Sequence, residues 1–293
     1  MSNKNNPRIA ILLHGQAGTA DKYGTGSKID VSLSHKHFAK HILKANENVD
    51  VFMHSWSEDR KEVLLDLYNP ACHYFEPQIT FDFEYIVGDP KGQGGEINRW
   101  RDGKFKGLDN LRFHALFSRW YSAKKANQLR LMYEKQNDIK YDYVMITRYD
   151  LAYNVDIDFS SLNKDKFYAI PPLSVFSNGE IHHGINDLWF ISNSENMTNF
   201  LEIYEWIKNI KHFPHKYTHS HYLALCFLRI NGFAEKIDFF GEDRPWEQGL
   251  EGEVKGPSPL VRHTYSLRES TPDADMQKVR ESIMRVSKRT LRW

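Results

Sequence analysis

Two short stretches place acid and polar groups where chemistry could happen. Thr147-Arg148-Tyr149-Asp150 follows the apolar run Tyr143 to Ile146, and Asn186-Asp187 precedes the strand-like Leu188 to Ile191. A strand that ends in a cation and a carboxylate puts charge at the mouth of an α/β sheet, and ligands of open α/β folds bind outside the carboxyl ends of the strands. On that ground Asp150 marks a site for a metal-bound, phosphate-containing donor. Two more strand ends carry polar groups. Residues 8–13 run into His14-Gly15-Gln16-Ala17-Gly18, a glycine-bearing turn that lets backbone approach a ligand closely. Val49 to Met53 runs into His54-Ser55-Trp56. Arg119, Ser122 and Lys125 recur every third residue, as a stripe that faces a ligand or solvent.

The elements that must position these groups are legible in outline. The continuous apolar run at residues 8–13 suits a strand buried on both faces. Ser32 to Ala45 reads as a helix whose His35, His37 and His41 form a solvated face; His37 and His41 have i, i+4 spacing but no accompanying carboxylate motif. A short helix over Glu58 to Leu67 and a strand over Ala71 to Phe75 follow. Residues 81–108, rich in glycine, read as a long, partly ordered excursion. Asn110 to Gln136 has the strongest helical pattern, with Phe113, Leu116, Phe117, Trp120 and Tyr121 on one stripe. It leads into Tyr141 to Ile146 and completes a strand-helix-strand unit.

Downstream, Phe167 to Ile170 reads as a short strand stopped by Pro171-Pro172. The second half of Ile181 to Ile191 is strand-like, which places Asn186 and Asp187 at the strand's edge. His182 and His183 fit an acceptor or phosphate contact, or a loop surface. Ser192 with Glu195 fits a capping box for a helix carrying Met197, Phe200, Leu201, Tyr204 and Ile207. A helix over Thr218 to Ile230 stops at Asn231-Gly232. Leu260 to His263 reads as a last strand.

Composition narrows the class. The chain has 293 residues, 41% hydrophobic and 26% charged, with a net charge of +1. That suits one large α/β domain over 1–270, followed by a basic amphipathic helix at 271–293. The charge gives no argument for nucleic acid. No apolar run is long enough to span a membrane, and the polar N-terminus has no signal-peptide core, so a cytoplasmic location is expected. The two cysteines, Cys72 and Cys226, fit a reducing compartment. Tyr23-Gly24-Thr25-Gly26-Ser27-Lys28 lacks the spacing of a Walker A loop and reads as a turn. That argues against a sulfotransferase or nucleotide kinase.

With these pieces in place the chain resembles a family of GT-A-like glycosyltransferases. Ile9 to Gln16 followed by Val49 to Trp56 is similar to the family's opening strand, small-residue turn, helix and Asp-Val-Phe-x-His-x-Trp stretch. Tyr133-Glu134 to Leu151 is similar to its Tyr-Glu … Tyr-Asp-hydrophobic-hydrophobic-x-x-Arg-x-Asp-Leu stretch. Asn186-Asp187-x-Trp-Phe is similar to its acceptor-side segment. The match runs in order over about residues 8–232.

The resemblance implies a Rossmann-type mixed sheet flanked by helices. It also implies a nucleotide-sugar donor, a glycan or other hydroxyl acceptor, and Mn²⁺ or Mg²⁺ bridging the donor diphosphate. Asp150 would be the principal metal ligand and His263, late in the chain, a second. Arg148 stands where the first acid of an Asp-x-Asp motif would be, and it offers the leaving diphosphate a bidentate cation instead, with Lys125 as a second. His14, Gly15, Gln16, His54, Trp56, Arg119, Ser122, Lys125 and Tyr149 would contact the nucleotide-sugar, with His54 and Trp56 alternatively an aromatic plug beneath it. Asp187 would be the general base of an inverting transfer, or a group that binds the acceptor hydroxyl. A catalytically silent module that binds nucleotide-sugar on the same fold is the alternative.

Overall fold

A computed structural model describes residues 6–17, 31–81, 83–87, 96–101, 104–106, 110–153, 155–177, 180–210, 212–213, 220–239 and 260–262. His263, the turn from Tyr23 to Lys28 and the helix expected at 271–293 lie outside these residues. The architecture is the expected α/β one, a mixed sheet flanked by helices.

The strand β1 (Arg8–Gly15) is followed by α1 (Val31–Phe38), which runs on as a π-helical turn over Ala39–Leu43. Then come β2 (Asn48–Ser55), α2 (Lys61–Tyr68), β3 (Cys72–Phe75), β4 (Phe83–Val87), β5 (Glu96–Arg101) and β6 (Lys104–Lys106). The 28-residue α3 (Asn110–Asn137) precedes β7 (Tyr143–Arg148) and β8 (Leu151–Tyr153). The rest of the chain forms β9 (Phe167–Ser177), β10 (Glu180–Ser192), α4 (Ser194–Phe200), α5 (Ile203–Asn209), β11 (His212–Phe213), α6 (Ser220–Ile230), β12 (Ile237–Phe239) and β13 (Leu260–Arg262).

Seven strands form the main sheet, in the order β12-β9-β10-β7-β1-β2-β3. β1 is central and parallel to both β2 and β7, while β10 is antiparallel to β7 and β9. The apolar run of β1 explains its position. Alternate residues of a strand face opposite sides. Ala10 and Leu12 join the core under α3, with Phe113, Phe117 and Trp120. Ile9, Ile11 and Leu13 join the core on the other face, with Phe38, Leu64 and Tyr68 of α1 and α2.

Several expectations are corrected here. The order within the excursion at 81–108 is a sheet of its own: β4, β5 and β6 pair antiparallel and, with β11, make a separate four-stranded sheet. The glycines that suggested a loop fall between these strands. His37 and His41 are buried, not solvated. The His37 Nδ1–H donates to the Tyr153 carbonyl at 2.9 Å, and His41 Nδ1 meets the Asp156 carboxylate at 2.7 Å. α1 thus packs on β8 with its histidine side inward. β9 does not stop at the prolines. Between the pairs Ile170–Asn186 and Leu173–Gly184, two residues of β9 oppose one of β10. Prolines are tolerated at such a bulge, where the ladder asks for no N–H.

β10 likewise covers the whole of Glu180–Ser192, so Asn186 and Asp187 sit inside the strand and not at its edge. The register slips again between Asn186 and Phe190. The cap of α4 is Asn193, one residue after the expected Ser192, and its side chain accepts from the Asn196 N–H. The single helix expected from there breaks into α4 and α5.

Candidate active site

Register alone gathers three of the groups. His14 on β1 pairs with His54 on β2 and with Arg148 on β7, so the three form a row across the ends of three parallel strands. They lie on the α3 side, the face that Ala10, Leu12, Phe52 and Ile146 occupy further down the strands.

The turn after β1 is fixed by Gly15, which has φ +102° and nothing within 4 Å of where a Cβ would stand. A side chain would have room there, but the backbone conformation favours glycine. Its N–H donates to Ser122 Oγ of α3 at 2.8 Å. Its carbonyl accepts from Ser55 Oγ at 3.0 Å and from the Trp56 N–H at 3.3 Å. Ser122 also meets His54 Nδ1 at 2.7 Å, and His54 Nε2 meets Glu76 at 2.9 Å. One proton arrangement satisfies the chain: Ser122 donates to Nδ1 and Nε2–H donates to Glu76. Burial lowers the His54 pKa and the Glu76 carboxylate opposes it, in keeping with a neutral ring.

At the end of β7, Arg148 turns back on its own strand end. Its Nε donates to Asp150 Oδ1 at 2.8 Å and a terminal nitrogen donates to Oδ2. Asp150 is 3% exposed. From α3, Arg119 donates to the Asp187 backbone carbonyl, and its Nε lies 3.4 Å from Asp187 Oδ2. The other carboxylate oxygen, Oδ1, lies 3.1 Å from Nδ1 of His221, near the start of α6. Burial alone would raise the Asp187 pKa. Arg119, His221 and Arg148 together override it and hold the carboxylate ionised, well below the usual range.

His14 sits among these charges. It is 1% exposed, and neither ring nitrogen has a hydrogen-bond partner among the described residues. Burial, then Arg119, Arg148 and His54, push its pKa well down, with only Asp150 opposing. The ring is therefore neutral, and its two nitrogens are buried at a cost that a ligand atom would relieve.

The structure thus brings His14, Arg119, Arg148, Asp150 and Asp187 together, and it places Gly15, Ser122 and His54 beside them. Other expected groups are elsewhere. Tyr149 is fully buried on the opposite side, where its hydroxyl donates to the carbonyls of Leu13 and His54 at 3.3 and 3.2 Å. Trp56 is buried and stacks on Tyr121 at 5.3 Å, and Lys125 lies over the other ring, Tyr121, also at 5.3 Å. These three form an aromatic flank next to His54. Gln16 is exposed.

Among the described residues no three His, Cys, Asp or Glu side chains converge as a metal site. Both oxygens of Asp150 are engaged by Arg148. His263 directly follows Arg262, whose partner across β13 and β8 is Leu151, but it lies outside the described residues.

Two contributors escaped the sequence reading. Glu76 and His221 carry no motif. The one available signal for His221 was Gly184, an isolated glycine within a strand, which can mark a close approach of another backbone.

No protein-family model matches the sequence. No curated protein matches it either. Two solved structures resemble it at 12% identity: the apo form of the glycosyltransferase GlyE from Streptococcus pneumoniae TIGR4, with a TM-score of 0.40, and a second structure of that GlyE, with a TM-score of 0.37. Each match covers 97% of this chain and 60% of the other, so the chain spans less than two thirds of their length. Among the described residues no helix is long and apolar enough to cross a membrane.

Proposed function

We propose that the protein is a glycosyltransferase that moves a sugar from a nucleotide-sugar donor to the hydroxyl of a glycan or other acceptor. The observation that carries this is the buried His14, without a hydrogen-bond partner among the described residues and within the electrostatic reach of Arg119 and Arg148, at the ends of parallel strands. Sugar transfer breaks the bond from the anomeric carbon to a phosphate oxygen, and negative charge grows on the leaving nucleoside diphosphate. Two guanidinium groups and a buried, neutral imidazole suit a diphosphate. Arginine binds phosphate oxygens two at a time, and inside a low-dielectric pocket each such bond is strong. In this reading Arg148 and Arg119 supply the charge, His14 contacts a phosphate oxygen, and Asp187 lies on the acceptor side.

Each arginine already serves an internal carboxylate. Binding of the donor therefore exchanges part of Arg148–Asp150 and Arg119–Asp187 for contacts to phosphate. That exchange favours ligands of high charge density over neutral sugars.

The test is release of nucleoside diphosphate from UDP-, GDP- and dTDP-sugars, with Mn²⁺, with Mg²⁺ and with EDTA. Turnover with one nucleotide supports the reading. A dependence on the cation would show that a metal at Asp150 and His263 adds to the arginines. The two-point Arg148–Asp150 pair also favours a second reading, a silent module that binds nucleotide-sugar, since it leaves no free pair of acids. Binding without turnover in the same assay would select that reading.

A further inference from the structure

The Asp187 carboxylate is ill suited to take a proton. His221 reaches one of its oxygens and Arg119 the other, and together they hold it ionised at low pKa. A general base works best with a pKa near the operating pH. His221 is placed differently. Its side chain is 21% exposed. The Asp187 backbone N–H donates to Nδ1 at 3.2 Å when Nδ1 is unprotonated, and Asp187 Oδ1 lies 3.1 Å from the same nitrogen. When Nδ1 carries the proton it exchanges that bond for one donated to the carboxylate, and Nε2 is left with a lone pair. A carboxylate that fixes the tautomer of an imidazole and stabilises the imidazolium is how a buried aspartate turns a histidine into a base.

The chain spends a specific residue on this arrangement. A Cβ at Gly184 of β10 would stand 2.8 Å from the His221 carbonyl carbon and 2.9 Å from both the His221 Cβ and the Tyr222 nitrogen. Only glycine lets the first turn of α6 sit down on β10, and that contact brings His221 against Asp187, three residues further along the strand. The charged groups facing the pair are Arg119 from α3 and Arg148 from β7.

We infer that His221, held by Asp187, is the general base for the acceptor hydroxyl. This rests on the glycosyltransferase reading above. The acceptor oxygen bonds to the anomeric carbon as the bond from that carbon to the phosphate oxygen breaks. The electron pair leaves with the nucleoside diphosphate, and the acceptor proton goes to His221 Nε2. Asp187 is then a positioning residue.

The experiment measures nucleoside diphosphate release from a panel of UDP-glucose, GDP-mannose and dTDP-glucose across pH, for wild type, His221→Gln and Asp187→Asn, with donor binding followed by calorimetry. His221→Gln should bind donor as wild type does and turn over at least ~10²-fold more slowly. His221→Ala should regain activity when free imidazole is added, which a purely structural role would not allow. Wild-type turnover in His221→Gln, or no rescue of His221→Ala by imidazole, overturns the role of His221 alone. Wild-type protein that neither binds nor cleaves any of these donors overturns the glycosyltransferase reading, and the role of His221 with it.

Discussion

Gly184 and His221 are in backbone contact across β10 and α6, so closely that a single methyl group at 184 would meet His221 at 2.8 Å. The contact is with main chain, which cannot swing aside as a side-chain tip would. Gly184→Ala should therefore lift the start of α6 and cost about 1–3 kcal/mol, the usual range for overpacking. It should also separate His221 from Asp187. Urea denaturation measures the first effect. The second appears as a loss of turnover larger than the loss of donor binding. A variant as stable as wild type would mean that α6 does not sit where described.

Arg148 and Asp150 make the next prediction. Removing one partner of a buried pair costs ~3–5 kcal/mol, because the other charge stays behind in a poorly solvated place. Arg148 is 23% exposed, so Arg148→Met should fall at the low end, about 3 kcal/mol. Adding Asp150→Asn to Arg148→Met should recover much of the loss. A double-mutant cycle by chemical denaturation reads the coupling. Additive effects of the two substitutions would show that the pair contributes nothing.

Stability should depend on pH through the buried histidines. The pKa of His14 is well below its ordinary value in the fold, mainly from burial. Below about 6.5 the unfolded chain takes up a proton that the folded chain refuses. His14 therefore costs no stability above that pH and progressively more below it, at up to about 1.4 kcal/mol per pH unit. His37 and His54 are lowered in the same direction. The urea midpoint should fall from pH 7.5 to pH 5.5, and His14→Leu should flatten part of that slope. An unchanged slope in His14→Leu would contradict the burial of a neutral ring.

How much of this was legible follows from range. The row of His14, His54 and Arg148 was readable because each ends an apolar run, and runs buried on both faces pair in parallel. The long α3 was readable from its stripe of Phe113, Leu116, Phe117 and Trp120. The strand β9 was cut short because prolines usually end strands, and only the partner's bulge shows why these do not. His37 and His41 looked solvated because a helix face reveals polarity, not what packs on it; Tyr153 and Asp156 supply their partners from far along the chain. Asp187 was found by its neighbours in sequence. His221 was not, because it meets Asp187 through a contact 34 residues away that depends on Gly184.

The central claim is that the His14 end of β1 is the donor site. The most direct measurement is calorimetric titration of UDP-, GDP- and dTDP-sugars into wild type and His14→Leu. His14 has no partner within the described protein, so replacing it with a residue of like size strips no internal bond. The variant should be at least as stable as wild type at neutral pH. Wild type should bind the sugars of one nucleotide, and His14→Leu should bind them about tenfold more weakly, as expected for one lost charge-assisted hydrogen bond. Equal affinity in the two proteins, or no binding of any nucleotide-sugar to wild type, would contradict the account.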